Sequence, residues 1–140
     1  MAFTGNYACN AFRVGLLNGA YSFSTGTYYI ALYTNAATLD YTTAAYTSTG
    51  EVVATGYTAG GNPLTVTVTP TTGTSTSTTA YISFGNTTWN AALTARGALI
   101  YQQGGSAVCV LDFGNDKTSS NIFTVQFPAS TTTSAIIRLS

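Results

Sequence analysis

The chain has 140 residues, of which only 6% are charged, with four basic residues balanced by four acidic ones and no histidine. Average soluble domains carry about 25% charged residues, and so few cations cannot neutralise a run of phosphates, which excludes a non-specific nucleic-acid binder. The lack of histidine removes Ser-His-Asp and Cys-His pairs and any imidazole ligand for a catalytic metal.

The length fits one domain over residues 1–140 with a core that needs no staples. Disorder is excluded by a hydrophobic content of 45% that includes ten Tyr and seven Phe. A net charge of zero favours association over a free monomer, which points to life inside an assembly. The start of the chain, Met1-Ala2-Phe3-Thr4-Gly5-Asn6, lacks the basic residue of a secretory leader, and Arg13 interrupts the residues after it. The longest apolar runs, such as residues 107–111, are too short for a membrane helix. Cytoplasmic synthesis is therefore expected, with Cys9 and Cys109 as free buried thiols in place of a disulfide. Two cysteines without histidine fall short of a zinc site.

In chain order, residues 7–17 place Ala8, Ala11, Phe12 and Leu16 near helical spacing, with Asn18-Gly19 as a stop. This predicts one short helix inside an N-terminal arm, residues 1–20, packed on a sheet. The same arm, through Phe12 and Arg13, is a candidate for docking on a neighbour. Residues 27–34 are rich in strand formers. Residues 64–69 alternate apolar and polar strictly, with Pro63 and Pro70 bracketing them as expected strand ends. Residues 80–84 form the next strand, closed by Gly85-Asn86. Residues 98–101 and 108–113 flank Gly104-Gly105-Ser106 as a hairpin. Residues 122–127 and 136–139 complete the set. The pattern of short strands separated by Gly, Pro, Asn and Ser predicts an all-β fold, an antiparallel sandwich of about seven or eight strands.

Two stretches read as connections. Residues 35–61 carry Tyr41, Tyr46, Glu51 and Tyr57 and are expected to be an ordered excursion over the sandwich. Residues 71–79, all Thr and Ser apart from Gly73, read as a hairpin tip or inter-sheet loop facing solvent.

No catalytic constellation emerges, so an enzyme is not expected. Asp112 and Asp116 lie four apart and, with Asn115 and Asn121, would at most form a loose oxygen cage; the preferred reading is a capped, charged turn between strands. Asp112-Phe113-Gly114 spells the kinase metal triplet without the glycine-rich loop, strand lysine and catalytic loop a kinase needs. Lys117 is the only lysine, and no phosphate loop precedes it. No metal or other cofactor is expected. Asn86-Thr87-Thr88 matches a glycosylation acceptor but reads as turn chemistry. Arg96 is expected to pair with Glu51 or Asp112 and so to pin a loop. Trp89 is expected in the core, closing one end of the sandwich. The tyrosines carry two readings: Tyr41, Tyr46 and Tyr57 as an interaction surface or sugar-stacking platform, or tyrosines that fill and edge the core.

The residues 29–39 (YIALYTNAATL), 42–46 (TTAAY), 50–52 (GEV), 56–61 (GYTAGG) and 95–101 (ARGALIY) together resemble small virion structural proteins of tailed bacteriophages. The resemblance covers residues 29 to 138. The size, the β-rich pattern and the Thr/Gly/Ala bias are also similar to capsid cement (decoration) proteins with a jelly-roll fold. No active site comes with this resemblance. It implies a protein made in the host cytoplasm that sits on the capsid surface of the virion. There it would bridge capsomers as a homodimer or homotrimer, its partners being the major capsid protein and itself, with no nucleic acid or membrane partner. A tail, head–tail connector or fibre protein and a carbohydrate-binding β-sandwich are the alternative readings.

Overall fold

The computed structural model describes residues 3–140; Met1 and Ala2, which begin the expected arm, lie outside the described residues. The strand-forming runs give ten strands among the described residues, around one short helix. They are β1 (Tyr7–Ala8), α1 (Asn10–Leu17), β2 (Tyr28–Tyr33), β3 (Asn62–Leu64), β4 (Val66–Thr71), β5 (Ala80–Phe84), β6 (Thr87–Trp89), β7 (Leu93–Gln102), β8 (Ala107–Ser119), β9 (Phe123–Val125) and β10 (Ile137–Leu139). They pair antiparallel in a five-stranded sheet of order β1-β8-β7-β2-β3, a three-stranded sheet of order β10-β5-β4 and the pair β6-β9. The expected all-β sandwich class holds, with more strands among the described residues than the pattern suggested, several of them only two or three residues long.

The run Tyr-Tyr-Ile-Ala-Leu-Tyr of β2 has no polar side chain except its phenols, which suits a central strand covered on both faces. On one face Tyr28 lies against Phe84 of β5 and stacks on Phe23 with ring centroids 4.5 Å apart, joining the two larger sheets. Ile30 and Leu32 are fully buried, each contributing about 1.5–3 kcal/mol. On the other face Tyr29 and Tyr33 lie under the long connection, residues 35–61. It is tied to the sheet by bridges from Ala45 to Ser106 and from Glu51 to Tyr33. The β7–β8 hairpin forms as predicted and runs further, from the Gly104-Gly105 turn out to the pairing of Leu93 with Ser119. Residues 72–79 form an irregular, largely exposed link between β4 and β5.

Four expectations need correction. The helix starts at Asn10, because Tyr7 and Ala8 pair instead with Val110 and Cys109 at the edge of the five-stranded sheet. Cys9, held at φ −67° and ψ 145°, turns the chain between the two. Pro63 and Pro70 lie inside β3 and β4 and do not bracket one strand. Both strands are sheet edges, where a missing N–H costs no ladder bond. The break falls at Thr65, where the chain crosses from one sheet to the other. Asp112 and Asp116 lie along β8 and not on a turn between strands, since the hairpin register continues beyond them. Asn86-Thr87-Thr88 is not simple turn chemistry either: Thr87 and Thr88 begin β6, which pairs with β9.

Candidate interaction surface

The structure separates the five sequence candidates. Phe12 is in the core, edge-on to Tyr21 at 5.0 Å and to Phe23 at 5.8 Å, so it is not a docking residue. In this eight-residue helix Phe12 and Gly15, three apart, take the inward side. Arg13 is exposed on the outward side, and Tyr41 is about half exposed. Tyr46 and Tyr57 are half-buried and spent internally.

What holds them is Glu51, a carboxylate that is 93% buried (7% exposed) without an ion-pair partner among the described residues. Its Oε1 accepts from the Tyr57 hydroxyl and the Gly60 amide, both at 2.7 Å, and its Oε2 accepts from the Tyr46 hydroxyl at 2.6 Å. The Tyr57 oxygen also accepts from the Leu32 amide of β2 at 2.9 Å. Tyr101 of β7 stacks between Tyr29 at 5.6 Å and Tyr46 at 4.9 Å and donates to the Gly60 carbonyl at 2.6 Å. Tyr33 donates to the Thr47 carbonyl at 2.6 Å. Burial above all, with the nearby carboxylate, pushes the Tyr46 and Tyr57 phenols well above the usual tyrosine range. They therefore stay protonated as donors at neutral pH. A buried carboxylate needs its lone pairs filled, and here three donors fill them from the connection itself. The cluster fastens residues 46–60 to the sheet; it presents no reacting atom to solvent. Gly61, at φ +76°, continues this clamp: a Cβ there would stand 1.8 Å from the Ile30 carbonyl oxygen, so the backbone passes directly against β2.

Of the two partners expected for Arg96, the structure selects Asp112, across the β7–β8 ladder. Asp112 also accepts from the Gly114 amide at 2.8 Å. Arg96 lies over the Phe3 ring, 6.0 Å from its centroid. The ion pair links β7 to β8, and the N-terminal arm is held there by Phe3 under Arg96 and by Asn6, whose Oδ1 accepts from the Asp112 amide at 2.7 Å. Cys9 and Cys109 are buried and unbonded to each other, and burial raises both thiols above their ordinary range, Cys9 to about 11. Among the described residues no cluster of three His, Cys, Asp or Glu residues could hold a metal, and no helix is long and apolar enough to cross a membrane. Trp89 is buried as expected, against Tyr57 and Phe123, with its indole N–H unpartnered.

The surface shows what the internal sites do not absorb. On α1, Arg13, Val14 and Leu17 form an outward stripe at i, i+1 and i+4, and Leu17 is 91% exposed. Tyr41 sits beside the start of the helix: its carbonyl accepts from the Asn10 amide at 2.8 Å, and its ring meets Tyr7 edge-on. Next to this stripe a groove of about 730 Å³ runs between α1 and β1 on one side and residues 134–140 on the other. A second groove of about 700 Å³ lies at the far end of β8, near Phe113, Lys117 and Ile122. Sequence reasoning passes over Val14 and Leu17, although both fall between the inward positions of the helical pattern and are apolar where a solvated helix would be polar. Comparison with models of known families, with curated proteins and with solved structures returned no match.

Proposed function

We propose that this chain is a structural protein of a tailed-phage virion that binds the outside of the capsid and bridges capsomers. The observation that carries the reading is the outward apolar stripe of α1, with Val14 at 59% and Leu17 at 91% exposure, next to Tyr41. These side chains stabilise nothing within the chain, and apolar surface left beside aromatic residues marks an interaction site. The polar chemistry points the same way. The most buried carboxylate and the Arg96–Asp112 pair are committed to holding the fold, which leaves no convergent reactive groups. The virion enters through the sequence resemblance across residues 29–138. A cement protein binds the assembled shell in preference to loose subunits, so it stabilises the shell by mass action, and several contacts per oligomer add avidity. The sugar-stacking alternative is weakened, because the Tyr46 ring stacks on Tyr101 and the Tyr57 ring lies against Trp89, so a face of each is already occupied within the chain.

The test is the copy number of this protein in purified particles of its source phage, measured by quantitative mass spectrometry against the major capsid protein. A ratio that is a simple fraction of the capsid subunits supports the reading. A few copies per particle would move the protein to the tail, connector or fibre. Absence from the particle would overturn the structural role.

A further inference from the structure

The two larger sheets have four edges between them: β1 and β3 in one, β10 and β4 in the other. Natural sheets protect such edges against pairing with other chains, and proline is one of the means. Here β3 contains Pro63 and β4 contains Pro70, whereas β1 and β10 contain none. The two proline-free edges, β1 of two residues and β10 of three with Arg138 at its middle, border the same groove, the one of about 730 Å³ beside α1.

The charged side chains of the groove share one sign. They are Arg13 and Arg138, half of the chain's four cations, and no aspartate or glutamate lines the groove. Among the described residues neither arginine is in an ion pair; Arg138 donates to the Thr133 carbonyl at 2.6 Å. Between the arginines the lining is apolar, with Ala8, Leu16, Leu111 and Ile137. The geometry points to a strand-addition site: an extended, acidic segment of another protein lies in this groove, pairs its backbone with the open edge of β1 or β10, and sets carboxylates on Arg13 and Arg138. Main-chain pairing supplies affinity and alternate side chains supply selectivity in such complexes. Arginine favours planar, two-pronged recognition of carboxylate.

The occupant is a different protein and not a second copy of this chain. Of its four side-chain carboxylates, Glu51 is buried and Asp112 is paired with Arg96. That leaves Asp40 and Asp116, far apart in sequence, so no free segment of this chain carries two available carboxylates. The inference rests on the virion role only in taking the partner to be a protein of the particle.

The test uses the full chain and fluorescein-labelled eight-residue peptides, read by fluorescence anisotropy at low and at physiological salt. One peptide alternates valine and glutamate, a second alternates valine and lysine, and a third is the glutamate peptide with every second valine replaced by proline. The expected result is binding of the first alone, weakened about tenfold or more in the Arg13→Ala/Arg138→Ala protein. Both arginines are exposed, so circular dichroism of the double variant is expected to match the parent. Failure of the glutamate peptide to bind, equal binding of the lysine or proline peptide, or indifference to the double substitution would overturn the site. So would equal affinity for a single-stranded oligonucleotide of the same net charge. The particle copy number reads the broader role separately. A protein present in virions that ignores the peptide sinks only the strand-addition site, and one that binds the peptide but is absent from virions sinks only the virion role.

Discussion

Replacing Glu51 tests whether the long connection is held by one buried acceptor. In Glu51→Ala the Tyr46 and Tyr57 hydroxyls and the Gly60 amide lose their acceptor together. Hydrogen bonds to a charged group contribute about 1.5–3 kcal/mol each. Removing a buried charge that lacks a cationic partner returns several kcal/mol of desolvation. The expected net loss is therefore about 3–4 kcal/mol, a large share of a typical stability of about 5–15 kcal/mol. Glu51→Gln keeps the shape. Its Oε1 still accepts from Tyr57 and Gly60, and its amide donates to a Tyr46 hydroxyl turned round to accept. The charge-assisted part of three bonds is lost while the desolvation cost is relieved, so the expected loss is about 1 kcal/mol. Urea denaturation measures both. Hydrogen exchange in Glu51→Ala is expected to show early loss of protection at Gly60 and Leu32, whose amides bond to Glu51 and Tyr57. An alanine variant within about 1 kcal/mol of the parent, or a glutamine variant as damaged as the alanine one, would refute the clamp.

Gly61→Ala is expected to cost more than about 3 kcal/mol, because its Cβ meets the Ile30 carbonyl oxygen at 1.8 Å. Gly104→Ala, at φ +100° with nothing within 4 Å, is the control for conformational strain alone, about 1–2 kcal/mol; equal melting temperatures for the two would contradict the close approach. Stability is expected to fall on the alkaline side. Burial raises Cys9 from 9.0 to about 11 and Tyr28 from 10.0 to about 12. Below pH 9 both groups are protonated in the folded and unfolded chain, and their contribution is complete. From pH 9 to 12 the unfolded chain releases protons that the native state retains, so the unfolding free energy drops as pH rises; a urea midpoint that is flat across this window would contradict it. Val14→Ser/Leu17→Ser is expected to leave stability within about 0.5 kcal/mol, because neither side chain is packed, while co-sedimentation with capsids is lost.

The strands are legible wherever side chains record burial. The run of β2 and the β7–β8 hairpin declare themselves through apolar pattern and turn residues, whereas the alternation of residues 64–69 marks strand but hides the break at Thr65 that divides it between β3 and β4. Of the strands of two or three residues, β9 and β10 are legible inside residues 122–127 and 136–139, and the others are not. At two or three residues, β1, β3 and β6 carry too little pattern, and each exists because a distant partner offers an edge. Pro63 and Pro70 mislead for the same reason: whether proline ends a strand or lies within one depends on whether that strand is an edge, which is a tertiary fact. The candidate surface is legible in part. Helical spacing puts Phe12 and Arg13 on one arm, but two adjacent residues on a helix face different ways, and only Arg13 reaches solvent. Abundant tyrosine is ambiguous by nature, since the same ring and hydroxyl serve an interface or a buried polar cluster. Glu51, a single acid in a long loop, gives no sign that three donors converge on it.

The position of β2 inside its sheet, between β7 and the edge strand β3, matters for how the chain is made. Its partner β7 leaves the ribosome about 60 residues later, several seconds at ~5–20 residues per second. During that interval a six-residue, uncharged, proline-free strand waits with only the short β3 to pair with, the profile of a segment that associates with its own kind. Release of the completed β7–β8 hairpin ends the exposure, so synonymous changes that stall translation between β3 and β7 would lower soluble yield without altering a single residue.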